Sequence, residues 1–335
     1  MTTKSQTDVR LVEQLAEAYR GLLGEVRKRI VGQSEAIEQL MICVLAGGHG
    51  LLVGVPGLAK TMLVRTLADA MNLSFRRIQF TPDLMPSDIL GTEVIQEDPD
   101  TRQRLFRFLP GPVFAHLVLA DEINRTPPKT QAALLETMQE RQVSSGGVTY
   151  PLEAPFLVLA TQNPIEQEGT YPLPEAQLDR FLMEVRIGYP SAEEEIEVMD
   201  RHSGSAEAAV SPVLTREQIL EYQSLVRRVP IGQHVLSYAA ALVRKSRPED
   251  ATAPPLVRDQ VSWGASPRAA MHLVLAAKAR TVLRGQYAVG WDDIEAVIVP
   301  VLRHRLILNF AARSEGITPD HIIERILAET PKAGK

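Results

Sequence analysis

One cysteine, Cys43, in 335 residues leaves no partner for an internal disulfide and no thiol set for a cysteine-based metal site. The seven histidines include no pair at metal-ligand spacing, and His304 and His321 read as surface or helix-end positions. No apolar run follows the start MTTKSQTDVRLVEQ, so a secretory leader is not expected. The uncharged stretch Met41–Ala59 is glycine-rich and holds His49 and Pro56, which suits a buried strand and turn rather than a membrane helix. A net charge of −5 gives no global nucleic-acid footprint, although a local basic surface stays open. Internal repeats and long low-complexity tracts are missing too. These absences imply a cytoplasmic protein of a reducing compartment with no membrane span. What is present, 45% hydrophobic and 23% charged residues, is an ordinary globular composition. The length suits about two domains of ~100–200 residues, enough to bury a core without staples.

Two halves of different character are expected. Residues 1–30 place Leu11, Leu15, Leu22, Leu23 and Val26 on one helical stripe. Three short apolar runs follow: Leu51–Val53 closing on Gly54, Leu117–Ala120 closing on Asp121, and Phe156–Ala160 closing on Thr161-Gln162-Asn163. Each precedes a polar segment and a helical stretch, as buried strands of a parallel α/β sheet do. The helices between them are expected over Lys60–Met71 and Lys129–Gln142. After Tyr189-Pro190 the pattern turns helical, beginning with the polar helix 191–202. Ser266-Pro267 and Thr318-Pro319 each set a capping hydroxyl before a first-turn proline. The reading is an α/β domain over 1–190 followed by a smaller all-helical domain over 191–335.

Gly54-Val55-Pro56-Gly57-Leu58-Ala59-Lys60-Thr61 follows an apolar strand and opens a helix, the setting a phosphate-binding loop requires. Its backbone N–H groups would converge on an anion at a helix N-terminus. Lys60 would reach the β- and γ-phosphates of ATP, and Thr61 would offer its hydroxyl to Mg²⁺. Ala59 stands where a glycine normally precedes the lysine, and slight loop adjustment is expected. Asp121 and Glu122 end a buried strand together, and two adjacent carboxylates repel unless a cation sits between them. Asp121 would hold the metal through water, and Glu122 would orient and deprotonate the attacking water. Asn163, at the end of the next buried strand, would hold that water against the γ-phosphate.

These motifs resemble the AAA+ ATPases, and within them the MoxR family. The resemblance spans roughly residues 20–330 and rests on GVPGLAKT, LADEINRTPPKTQAALLETMQE, ATQNPIEQEGTYPLPEAQLDRFLM and GASPRA. It implies a P-loop AAA+ sheet sandwiched by helices, then a helical lid. Ile30-Val31-Gly32-Gln33 is similar to the segment over the adenine, so Val31, Gly32 and Gln33 join the nucleotide set, as does Met62 after the loop. Asn163 resembles the first sensor, Arg180 in Leu178-Asp179-Arg180-Phe181 the finger that enters a neighbouring subunit's site, and Arg268 the second sensor on the lid. Arg268 also stands in the first turn of a helix, where a cation is unfavourable without an anionic partner. A surface salt bridge is the bland alternative for Arg180. Arg125, just beyond the acidic pair, is a further candidate for an intersubunit site.

The same comparison identifies residues 81–112 as the insertion in helix two. Residues 142–155 read as a hairpin turning at Gly146-Gly147, either facing a ring's pore or lying on the surface. The resemblance implies a homo-oligomeric ring, expected to be a hexamer, that uses ATP and Mg²⁺ to remodel or activate a protein client. Clients of this family are typically von Willebrand factor A domain proteins, often in metal-cofactor insertion. A metal-chelatase motor subunit is the alternative, with a DNA-dependent motor or a scaffold without turnover behind it. The hairpin carries no lysine or arginine between Val143 and Phe156, so no nucleic-acid partner is expected.

Overall fold

The computed structural model describes residues 2–97, 104–164, 170–202 and 208–332. Parts of the helix-two insertion, of the segment after Asn163 and of the loop after residue 202 therefore lie outside the described residues. Along the chain run α1 (Thr2–Val26), α2 (Ser34–Ala46), β1 (His49–Val53), α3 (Lys60–Ala70) and β2 (Phe75–Gln79). The insertion follows as α4 (Pro86–Leu90), β3 (Gly91–Glu97) and β4 (Arg104–Pro110). Next come β5 (Leu117–Asp121), α5 (Pro128–Glu140), the hairpin β6 (Gln142–Ser145) and β7 (Val148–Pro151), then β8 (Leu157–Gln162), α6 (Glu175–Leu178) and β9 (Phe181–Arg186).

The central sheet has the order β2-β5-β8-β1-β9, with every pairing parallel. The inner strands β1, β5 and β8 are apolar and buried almost end to end, because helices cover both faces. Their side chains alternate between two cores: Leu117, Leu119, Leu157 and Leu159 point to one, and Val118, Ala120, Val158 and Ala160 to the other. The edge strand β2 is different. Arg76 and Arg77 are exposed on it, as suits a strand that must not recruit another.

The second half comprises α7 (Ala192–His202), α8 (Arg216–Arg228), α9 (Gln233–Lys245), α10 (Pro255–Gln260), β10 (Val261–Trp263) and α11 (Pro267–Leu283). It ends with α12 (Trp291–Leu302), β11 (Ile307–Leu308), α13 (Phe310–Ser314) and α14 (Pro319–Ala328). It is helical apart from the short antiparallel ribbon of β10 and β11. One hydrophobic cluster runs through both halves, joining α1, α2 and α3 to α8, α9, α11 and α12. The N-terminal stripe holds, with Leu11, Leu15, Leu22 and Val26 buried and Leu23 partly so.

Three local expectations are corrected. Met41–Ala46 is the buried end of α2 rather than strand, because α2 is covered by α8 and α11 on one side and the sheet on the other. Cys43 is core there, its thiol pushed up to about 12 by burial. His304 is buried, not at the surface: Arg303–Arg305 form a 3-10 turn whose Arg305 is drawn inward by Asp179. Ser266 precedes α11 but does not cap it, since its hydroxyl donates to Asp179 Oδ2 at 3.0 Å. Thr318 does cap α14, accepting from His321 N.

Two histidines are held neutral by geometry. His49 Nδ1 accepts from Val158 N–H at 2.9 Å, and His272 Nδ1 accepts from the Arg305 guanidinium at 2.7 Å. Burial lowers both pKa values to about 4, with Arg305 adding to the effect at His272. Between about pH 4 and 6.5 the unfolded chain binds protons there that the folded chain refuses, so stability is full above 6.5 and lost as pH falls toward 4. For the fully buried His49 the loss is roughly 3 kcal/mol across that window. Urea midpoints should therefore drop steadily from pH 7 to pH 4.5, and His49→Gln should flatten the slope; an unchanged parental midpoint would refute the neutral assignment.

Candidate nucleotide site

The carboxyl ends of β1, β5 and β8 emerge side by side, the edge at which parallel α/β sheets receive ligands. There Pro56, Gly57, Leu58, Ala59, Lys60, Thr61, Met62, Asp121, Glu122, Thr161 and Asn163 line one cavity of about 440 Å³. The phosphate loop is shaped by two glycines. Gly57 has φ +84°, and a side chain on Gly54 would come within 2.7 Å of the Ile187 carbonyl. Ala59 takes the left-handed conformation (φ 54°) despite its methyl group. Gln33, Ala59 and Glu122 all have left-handed backbone and all line the site. Such conformations cost on the order of 1–3 kcal/mol each and gather where geometry is under functional constraint.

Lys60 Nζ folds back to donate to the carbonyls of Gly54 at 2.6 Å and Val55 at 2.8 Å. Those two residues thus act through their backbone oxygens instead of lining the cavity. Burial lowers the Lys60 pKa, and the nearby Asp121 and Glu122 carboxylates oppose that shift. Asp121 is buried. Its Oδ1 accepts from the Thr161 hydroxyl at 2.6 Å, and its Oδ2 accepts from Arg77 Nε at 2.8 Å. Glu122 N donates to Thr161 Oγ1 at 2.8 Å, which turns the Glu122 side chain into the cavity mouth. Glu122 Oε2 accepts from Gln79 Nε2 at 2.7 Å and from Arg125 at 2.8 Å. Arg125, a candidate for an intersubunit site, is paired with Glu122 of its own chain.

A hydroxyl from Thr61 and a carboxylate from Asp121 face the same cavity. Both are hard oxygen donors, the kind that hold Mg²⁺ alongside phosphate oxygens and water. Among the described residues no group of three or more histidine, cysteine or acidic side chains forms a metal cage.

A second cavity of about 210 Å³ continues from the loop and is lined by Ile30, Val31, Gln33, Leu58, Met62 and Pro190 among others. Gln33 Nε2 donates to the Gly188 carbonyl at 3.0 Å, tying the segment to the end of the sheet. This apolar space has the character of a base pocket. The structure therefore brings together the loop, Thr61, Asp121, Glu122, Asn163, Val31 and Gln33. Arg180 and Arg268 line neither cavity. Arg180 donates to the Leu135 carbonyl of α5 at 2.6 Å. Arg268 lies 3.7 Å from Asp179 with its side chain nearly half exposed. Arg77, Gln79 and Thr161 were not foreseen. Their only trace in the sequence is polarity at alternate positions of β2 and at the end of β8.

Comparison with known proteins decides the family. Residues 49–183 match the model of the ATPase family associated with various cellular activities, and residues 255–326 match that of the AAA lid domain. Chaperone MoxR1 of Mycobacterium tuberculosis is 44% identical over 306 residues, covering 90% of this chain and 79% of the relative. The chain belongs to the MoxR family of AAA+ ATPases. Protein MoxR of Paracoccus denitrificans is 33% identical over 90% of this chain and 92% of its own. A crystal structure of a provisionally named ATPase from Cytophaga hutchinsonii superposes with a TM-score of 0.90 at 43% identity, covering 98% of both chains. Among the described residues no helix is long and apolar enough to cross a membrane.

Proposed function

We propose that this MoxR-type protein hydrolyses ATP and uses the cycle, as a ring of identical subunits, to remodel or activate a protein client. One observation carries the chemistry: Lys60, Thr61, Asp121, Glu122 and Asn163, far apart in sequence, line a single cavity with a base-sized pocket beside it. On this reading the loop N–H groups and Lys60 hold the phosphates. Thr61 and Asp121 would hold Mg²⁺, which neutralises charge on the β- and γ-phosphate oxygens. Glu122 takes a proton from the water that attacks the γ-phosphorus while ADP departs, and Asn163 orients that water. Arg180, outside its own cavity, is available to a neighbour's site. Arg268 would leave Asp179 for phosphate when the lid closes. The domain division near residue 190 and a hexameric ring belong to the same proposal, as does the client, a von Willebrand factor A domain protein in metal-cofactor maturation.

A chelatase motor shares all of this chemistry and is distinguished by its partner. A DNA motor is disfavoured by charge. The hairpin β6–β7 has no basic residue, and the neighbouring hairpin balances Arg104 and Arg107 against Glu93 and Glu97, with Arg104 paired opposite Glu97. Phosphate-backbone binding without surplus cations is weak and falls further with salt. Steady-state ATP hydrolysis should therefore be unmoved by single- or double-stranded DNA at physiological salt, and changed by a cognate von Willebrand factor A protein. Strong salt-sensitive activation by DNA alone would reverse the choice of substrate.

A further inference from the structure

Asp121 already has a cation. On β2, Arg77 and Gln79 lie two residues apart and so share one face, and the parallel register sets Gln79 opposite Asp121. Arg77 reaches across with Nε at 2.8 Å and a terminal nitrogen at 2.7 Å, both on Asp121 Oδ2. Oδ1 is occupied by the Thr161 hydroxyl. Both oxygens of the carboxylate that would serve a metal are thus engaged by the protein itself. The Asp121 side chain is only 10% exposed, whereas that of Arg77 is 47% exposed and opens to water. A buried carboxylate beside a second one, Glu122, needs a compensating charge, and Arg77 supplies it from a position it can leave cheaply. No phosphate-site motif in the sequence assigns this arginine.

We propose that Arg77 is the resident counter-ion of Asp121, holding the carboxylate in place before metal arrives and yielding to Mg²⁺ when nucleotide enters. The inference rests on the ATPase reading of the site. Arg77 acts through Asp121 and is a positioning residue. Two Arg77 N–H groups fill both lone pairs of Oδ2, so a metal-bound water reaches that oxygen only by displacing one of them; Arg77 therefore competes with the hydrated metal and raises the concentration at which Mg²⁺ promotes nucleotide binding. Without metal its role has the opposite sign: it masks acids that would otherwise repel a triphosphate.

The test is binding of a fluorescent ATP analogue to the full chain, with free Mg²⁺ titrated and with a chelator as the metal-free limit. Arg77→Met should lower the half-saturating Mg²⁺ by roughly three- to tenfold, the range for a partly exposed, charge-assisted hydrogen-bonded pair. The same variant should bind the analogue more weakly when metal is absent. A merely structural residue would weaken both limits together. Arg77→Lys, which keeps the charge, should stay within about twofold of the parent on the scale of an exposed pair. Arg77→Gln serves as the second neutral variant should Arg77→Met melt early. An unchanged or higher Mg²⁺ requirement in the neutral variants overturns the counter-ion role while leaving nucleotide binding intact. Failure of the parent protein to bind the analogue at any Mg²⁺ concentration overturns the ATPase reading and this inference with it.

Discussion

Glu122→Gln is expected to hold ATP at parental affinity and to hydrolyse it roughly two to four orders of magnitude more slowly, the scale of a general base. The substitution keeps an oxygen in place of Oε2, so the donors Gln79 and Arg125 retain an acceptor. Its backbone anchor, Glu122 N to Thr161 Oγ1, does not involve the side chain at all. What is lost is the capacity to accept a proton. Lys60→Ala should act differently, weakening nucleotide binding itself because the loop loses its phosphate cation. Parallel measurement of equilibrium binding and single-turnover hydrolysis separates the two. Hydrolysis by the glutamine variant at the parental rate would remove Glu122 from the role of base.

Arg180→Ala should bind ATP normally and hydrolyse it poorly, and an excess of Lys60→Ala protein should restore part of the activity. The single variant folds normally on this view, because the hydrogen bond of the Arg180 side chain among the described residues goes to a single carbonyl within α5. In a mixed ring, an intact nucleotide site on the Arg180→Ala subunit borrows the finger of a Lys60→Ala neighbour. Such fingers supply ~10³–10⁵ in rate in other nucleotide hydrolases, so even a small rescued fraction is measurable. Absence of rescue while mixed assemblies form, as followed by differently tagged subunits, would place Arg180 in a structural role. Its neighbour Asp179 gives that alternative a definite shape. Asp179 accepts from Arg305 Nε at 2.7 Å and from Ser266 at 3.0 Å, fastening the lid just ahead of β9, one residue from Arg180.

Local chemistry was enough to read much of the site. The phosphate loop is legible because its glycines, lysine and threonine act within one strand–loop–helix unit, and the acidic pair because it closes an apolar run. Buried strands between helices announce a parallel sheet for the same reason: continuous apolar runs of three to five residues, each closed by a turn and a helix, have few other stable settings. Thr318 caps its helix using only residues within four positions of itself. Wherever the partner is distant, sequence was silent or misleading. Ser266 has the local signature of a cap, yet its hydroxyl goes to Asp179, 87 residues away. Arg303-His304-Arg305 looks like a solvated helix end, but Asp179 and the carbonyls of β9 draw Arg305 into the core and carry His304 with it. Arg77 and Gln79 sit in a strand with no motif, and only the lateral order β2-β5-β8 brings them to the acids that motif reading had already found. Sequence by itself determined which groups line the candidate nucleotide cavity, since each sits at a strand end marked by its own short motif. Tertiary structure decided what holds those groups before phosphate arrives, because that depends on which strand lies beside which.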